Sequence, residues 1–204
     1  MIAALFVETG GAYSGDRRID PWDLARDART YPGPWPVVAH PPCERWGRFA
    51  SGGPSHPGTR TPGEDGGCFS AALAAVRMWG GVLEHPAGSR AWAEFGLLKP
   101  GRAGWSAADF LGGWTCEIEQ GAYGHKARKR TWLYAAGVDL PSMKWGPADG
   151  DFTRPDMEAK DRARGRRPSR QGVIGRMSHR QRAATPAEFR ELLIAIAATA
   201  VTHE

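Results

Sequence analysis

Of the three cysteines in the chain, Cys43 follows two prolines at the end of a short apolar run, Pro36 to His40. Such a run reads as a buried strand, and open α/β sheets place their chemistry just beyond the carboxyl ends of their strands. A thiol at that position is a candidate nucleophile, provided that it can ionise. An unperturbed thiol, with a pKa of about 8.5, is ionised only to a few per cent at pH 7. Cations nearby would help, and Arg45, Arg128 and Arg130 are the candidates. A second apolar run, Gly81-Val82-Leu83, ends on Glu84-His85-Pro86 and brings a carboxyl to another strand end. In Lys126-Ala127-Arg128-Lys129-Arg130, alternation along an extended segment places residues 126, 128 and 130 on one face.

These residues need a scaffold, and the hydrophobic pattern outlines one. Ile2 to Val7 is a first buried strand running into the turn Glu8-Thr9-Gly10-Gly11, a kind of turn that nucleotide-like cofactors favour. Residues 47 to 67 are dense in Gly, Pro, Ser and Thr and too long for a mere connection, which reads as a lid. Phe69 to Trp79 has helical spacing, Trp92 to Leu98 and Ala107 to Leu111 look like short helices, and Thr115 to Glu119 and Arg130 to Ala135 alternate as strands do. Residues 141 to 176 lose periodicity and turn basic. In the last helix, Pro186 to Ala200, the residues Phe189, Leu192, Leu193 and Ile196 share a face, with Thr185 or Ser178 as its cap. The organisation expected is a catalytic core over 1–140, a basic arm or reduced target-recognition insertion over 141–176, and a helix within 177–204 that packs back on the core.

Composition bounds the partners. A chain of 204 residues with 41% hydrophobic residues and nine tryptophans can bury one core. Its net charge of +5 and isoelectric point of about 9.4 suit a polyanion. Lys160, Arg162, Arg164, Arg166, Arg167 and Arg170 crowd one stretch, which suits contact with phosphates regardless of sequence. Cys68 and Cys116 read as packing residues. The odd cysteine count gives no disulfide framework, and His40, His56, His125 and His179 lack ligand spacing, so no metal is expected. With neither a basic leader nor a run near the ~20 apolar residues that span a bilayer, a cytoplasmic protein without membrane contact is expected.

Four clusters fall in a familiar order: LFVETGGAYSG at 5 to 15, PPCERW at 41 to 46, LEHP at 83 to 86 and GHKARKRTWLYAAG at 124 to 137. They resemble the cofactor-binding, Pro-Cys nucleophile, Glu-Asn-Pro and Gln-x-Arg-x-Arg motifs of the cytosine-5 DNA methyltransferases, over roughly residues 1 to 137. TPAEFRELLIAIA echoes the family's last motif. The resemblance implies an α/β, Rossmann-like S-adenosylmethionine-dependent methyltransferase fold with a mainly parallel sheet, in a compact form like those of phage or prophage. It implies methyl transfer to carbon 5 of a cytosine in DNA, flipped out of its stack. By the same resemblance Cys43 adds to carbon 6, Glu84 stays protonated and donates at nitrogen 3, and Arg128 and Arg130 hold the base and the nucleophile loop. Phe6, Gly10, Gly11 and Pro41 would lie against S-adenosylmethionine, Asp20 would meet its ribose, and Arg45 and Lys126 would join the basic arm on DNA.

The sequence also departs from the family. His85 replaces Asn, Lys126 replaces Gln, Glu8 stands where a glycine is expected, and Arg18 cannot accept from a ribose hydroxyl. The short arm predicts relaxed target selection. Two alternatives stay open: another carbon-5 modification of a pyrimidine with an altered one-carbon donor, and a DNA-binding module on the same fold without chemistry.

Overall fold

Alternation in the first strand decides the layering. In β1 (Ile2–Leu5) every residue is buried: Ala3 and Leu5 join one hydrophobic core, Ile2 and Ala4 the other. Strands packed on both faces are apolar throughout, and β3 (Val37–Ala39) follows the same rule. One layer is α1 (Cys68–Trp79), which lays Phe69, Leu73 and Val76 on the Ala3 and Leu5 face. After the single helical turn α2 (Ala91–Glu94), the other layer is α3 (Ala187–Ala197), whose Phe189, Leu193 and Ile196 cover Ile2 and Ala4. The computed structural model describes residues 1–47, 50–52, 58–101, 103–149, 181 and 183–201. Lys160, Arg162, Arg164, Arg166, Arg167 and Arg170, and with them most of the basic arm, lie outside the described residues.

The protein is α/β with a mixed sheet of seven strands in the order β2-β1-β3-β4-β7-β6-β5. The remaining strands are β2 (Ile19–Trp22), β4 (Gly81–Pro86), β5 (Ser106–Ala107), β6 (Trp114–Glu119) and β7 (Arg130–Ala136). The pairs β1–β2, β1–β3 and β3–β4 are parallel; β4–β7, β6–β7 and β5–β6 are antiparallel. The mainly parallel sheet expected from the sequence is thus corrected to a mixed one. The connection 120–129 between β6 and β7 is too short for the crossover that a parallel pair requires, so the two strands return on each other.

Other local expectations change for identifiable reasons. Ala107 to Leu111 is not a helix, because the Asp109 carboxylate accepts from the backbone N–H of Leu111 and Gly113, both at 2.9 Å, and turns the chain into β6. Thr185 does not cap α3, whose N-cap is Pro186 with no side-chain cap bond, and Ser178 lies outside the described residues. β2 escaped sequence reading because it contains Pro21. Its inner carbonyls, on Arg18 and Trp22, accept from Ile2 and Val7 of the first strand and its exit. On the outer side Ile19 N–H donates to the Asp16 carbonyl at 3.0 Å, and Arg26 donates to the Pro21 carbonyl at 3.1 Å.

Candidate functional site

Because β1 lies between β2 and β3, the chain winds away from it in both directions, and the ends of β1 and β3 form a topological switch point of the kind where open sheets bind ligands. β1 stops at Phe6, whose φ of 59° is outside the strand region. The turn that follows closes with Gly11 N–H on the Glu8 carbonyl at 2.9 Å. A Cβ at Gly11 would stand 2.8 Å from that oxygen, and Gly10 has φ 67°, so both glycines are required by the turn. α3 pins the loop beyond it: Arg190 donates to the Ala12 carbonyl at 2.6 Å and Arg18 pairs with Glu191 at 2.9 Å. What this loop presents inward is Tyr13, which is buried.

β3 and β4 run side by side with Ala39 opposite Leu83, so the next residues, His40 and Glu84, emerge together. His40 Nδ1 lies 3.1 Å from Glu84 Oε2, and His40 Nε2 lies 2.8 Å from the Tyr13 hydroxyl. From the other side Gln120 Nε2 donates to Glu84 Oε1 and to Thr131 Oγ1, both at 3.0 Å. The result is a chain of hydrogen bonds, Tyr13–His40–Glu84–Gln120–Thr131, that crosses the end of the sheet. Burial pushes the Tyr13 hydroxyl up, reinforced by the Glu84 charge, so it stays protonated.

The charge on Glu84 is the opposite of the one expected. Burial favours the neutral acid, yet the hydrogen bond and charge of His40, followed by the charge of Lys129, outweigh it and hold the carboxyl down at about 2. Glu84 therefore rests ionised. Cys43 is open to solvent, three residues beyond His40, and its loop is shaped by the N–H groups of Trp46 and Gly47 on the Cys43 carbonyl, each at 3.1 Å. Its pKa is raised, first by partial loss of hydration and then by the Glu84 charge, while Lys129 lowers it. The thiol rests protonated.

The cation that faces both groups is Lys129, not Arg45, Arg128 or Arg130. Lys129 has φ 41°, a conformation rare outside glycine, and this kink breaks the alternation expected over 126–130. Its ammonium lies near the Ala183 and Ala184 carbonyls, at 3.3 and 3.2 Å. Burial lowers its pKa, while Glu84 and Cys43 raise it. Lys126 is exposed. Arg128 approaches Glu119 at 3.9 Å. Arg130 pairs with Glu117 at 2.6 Å and, by alternation with Trp132, faces the α1 layer, away from Glu84. Among the sequence candidates, then, the Glu84 charge acts on Cys43, Arg130 lies on the opposite side of the sheet from Glu84, and Arg128 approaches Glu119.

Asp20 is engaged by Arg26 and accepts from Trp22 Nε1 at 2.9 Å. Pro41 is buried between His40 and the nucleophile loop, and the Arg45 carbonyl accepts from Gly63 N–H at 2.9 Å. His85, next to Glu84, points the other way into an aromatic shell, with ring centroids 5.2 Å from Phe69 and 6.3 Å from Trp92. Among the described residues neither ring nitrogen makes a hydrogen bond of good geometry, and the backbone of Pro42 acts on the ring only weakly. Burial holds it neutral, down at about 4, against the opposing pull of Glu84. His40, Tyr13, Gln120 and Lys129 were not singled out in the sequence. A lone histidine at a strand end and a tyrosine in a glycine-rich loop carry no spacing signal.

Comparison with known protein families, characterised proteins and solved structures finds no match to this chain. Among the described residues no group of three or more His, Cys, Asp or Glu could hold a metal ion. No described helix is long and apolar enough to cross a membrane.

Proposed function

We propose that the protein modifies carbon 5 of a pyrimidine base in DNA by covalent catalysis from Cys43, on a trimmed, Rossmann-like methyltransferase fold. The observation that carries this reading is the meeting of a solvent-open thiol and a buried carboxylate on the ends of adjacent parallel strands, with one ammonium, that of Lys129, acting on both. A carbon-5 reaction needs these groups. The sulfur forms a bond to carbon 6, the carbon 5–carbon 6 electron pair is displaced across the ring, and nitrogen 3 takes up a proton. At rest the site holds the right number of protons in the wrong places, one on Cys43 and none on Glu84. Reaction takes one from sulfur and places one on nitrogen 3, and Lys129 stabilises the thiolate that results.

The glycine turn fits a nucleoside-type methyl donor such as S-adenosylmethionine. It stands at the switch point, nothing lies within 4 Å of where a Cβ at Gly10 would be, and Glu8 is exposed rather than turned into the turn. Phe6, Gly10 and Gly11 would hold the donor, which supplies an electrophilic methyl group. The Asp20 carboxylate already accepts from Arg26 and Trp22, so a ribose hydroxyl would share it with them. DNA is supported by the net charge of +5 and by the resemblance of the motif set. A second reading takes uracil as the ring, since an ionised Glu84 accepts and uracil carries a hydrogen on nitrogen 3.

The test is exchange of the carbon-5 hydrogen. Cytosine-containing and uracil-containing oligonucleotides, single-stranded and duplex, are incubated in D2O with the protein, and deuterium at carbon 5 is measured by mass spectrometry. Exchange is expected on one of the two bases and its loss in Cys43→Ser. Deuterium uptake unaffected by Cys43→Ser, or absent from every substrate, overturns the proposal. A stable adduct on 5-fluorocytosine DNA that forms only with S-adenosylmethionine identifies the donor.

A further inference from the structure

Covalent attack leaves one demand unmet by the residues assigned so far: Glu84 must deliver a proton that it does not carry at rest. We infer that His40 is a positioning residue and proton carrier, holding on its ring the proton that Glu84 passes to nitrogen 3 of the pyrimidine, with Tyr13 securing the ring in both of its charge states. This inference rests on the covalent reading of Cys43.

The geometry supports the role at both ends of the imidazole. Nδ1 addresses Glu84 Oε2 at 3.1 Å, and Nε2 addresses the Tyr13 hydroxyl at 2.8 Å. A hydroxyl both donates and accepts, so the contact with Tyr13 survives whether Nε2 carries a hydrogen or a lone pair. Tyr13 cannot itself take up the negative charge, since burial and Glu84 hold it protonated. His40 is also fixed from behind, its N–H donating to the Leu5 carbonyl at 3.0 Å. The ring and the carboxylate are each nearly closed to water, with side chains 13% and 12% exposed, so at neutral and alkaline pH bulk solvent is a poor source for the same proton, and acid raises that supply.

The proton balance closes with solvent as the sink for the thiol proton. Attack by Cys43, which is open to solvent, releases the thiol proton there; protonated His40 passes its Nδ1 proton to Glu84 Oε2, and nitrogen 3 takes that proton from Glu84 as the electron pair arrives, leaving His40 neutral. When the sulfur–carbon bond breaks, the transfers reverse. The other charged and titratable groups that face this chain are Lys129, Cys43 and His85 around Glu84, and Arg190 and Glu191 of α3 near Tyr13. None of them bonds to His40, which leaves the histidine as the only described residue linking Tyr13 to Glu84.

His40→Asn separates positioning from proton carriage, because an amide can donate to Glu84 but cannot take up a proton. Carbon-5 exchange on the cytosine-containing oligonucleotide is followed from pH 5.5 to 8.5, since uracil already carries a hydrogen on nitrogen 3; exchange on uracil alone overturns the inference. His40→Asn is expected to be about a hundredfold slower than wild type at pH 8 and within about threefold at pH 5.5, where solvent supplies the proton. An equal loss at every pH, or no loss, overturns the inference. Tyr13→Phe, which leaves His40 and Glu84 in place, guards against a folding defect and is expected to show a smaller loss, of about threefold to tenfold, weighted to the same alkaline side. If wild type exchanges and both variants follow it at all pH values, this inference alone fails. If wild type does not exchange at all, the covalent reading fails and takes the inference with it.

Discussion

Glu84 and His85 are neighbours on β4 and both are buried, yet their surroundings push them to opposite states. Glu84 turns toward the α3 side, where His40 and Gln120 each hydrogen-bond one of its oxygens, and it is held charged. His85 turns toward the α1 side, where it meets Phe69 and Trp92, makes no hydrogen bond of good geometry among the described residues and is held neutral. Loss of water acts on both. What differs is the polar partner that each could use, donors for the carboxylate and acceptors for the imidazole, and that is set by alternation along a single strand. The sheet thereby separates a hydrogen-bonded polar layer from a dry aromatic layer that holds it in place.

The comparison can be attacked most strongly from the dry side. Phe69, fully buried beside His85, Trp46 and Trp92, should lower stability by about 3–5 kcal/mol when changed to Ala, read by urea denaturation, because a cavity replaces a large side chain. Exchange per folded molecule should persist; if chemistry collapses while the fold survives, the two layers are not separable as described.

Acid offers the next largest effect. His85 titrates at about 4 in the folded chain and about 6.5 in the unfolded one. As the pH falls from 6.5 toward 4 the unfolded chain binds the proton first, so stability drops across that window and levels off below it, by about 3 kcal/mol in total. Glu84 acts in a lower window: its folded pKa of about 2 lies below the ordinary 4.5, so its contribution is complete above 4.5 and is lost as pH falls toward 2. His85→Leu should flatten the upper window and leave the lower one, as measured by denaturation at a series of pH values. An unchanged upper window would assign it to another group.

The smallest expected effects sharpen the identity of the working cation. Lys129→Met should slow carbon-5 exchange about tenfold or more, by removing the charge that favours the Cys43 thiolate. Arg130→Met should change the rate less than about twofold and stability by no more than about 0.5 kcal/mol, because its pair with Glu117 is at the surface. A larger effect at Arg130 than at Lys129 would restore the arginine pair predicted from the motif.

How much of this was legible in the sequence depended on periodicity. Cys43 and Glu84 could be located because each follows an apolar run; the register of β3 with β4 sets His40 beside Glu84, and Cys43 lies three residues further on, within reach of the Glu84 charge. α1, β6 and β7 were legible for the same reason. Lys129 was passed over because the motif drew attention to the face of residues 126, 128 and 130; the opposite face, which alternation gives to Lys129 with Thr131 and Leu133, is the one that Glu84 occupies. His40 and Tyr13 are 27 residues apart and meet through α3's grip on the intervening loop, a long-range contact without a local signature. The short strand at Ile19–Trp22 was obscured by its proline, and the turn at Asp109 by a side chain that bonds its own backbone. The motif order pointed to a thiol and a carboxyl; it did not show which groups would set their charges.

Pro21 has a consequence beyond concealing its strand. A foreign strand approaching the outer side of β2 would find no N–H at Pro21, an oxygen there already taken by Arg26, and the Ile19 donor spent on Asp16. That border is sealed by the chain's own atoms, so an extended peptide cannot prolong the sheet there by backbone pairing, and stacking of copies into a continuous ribbon is blocked at the same place.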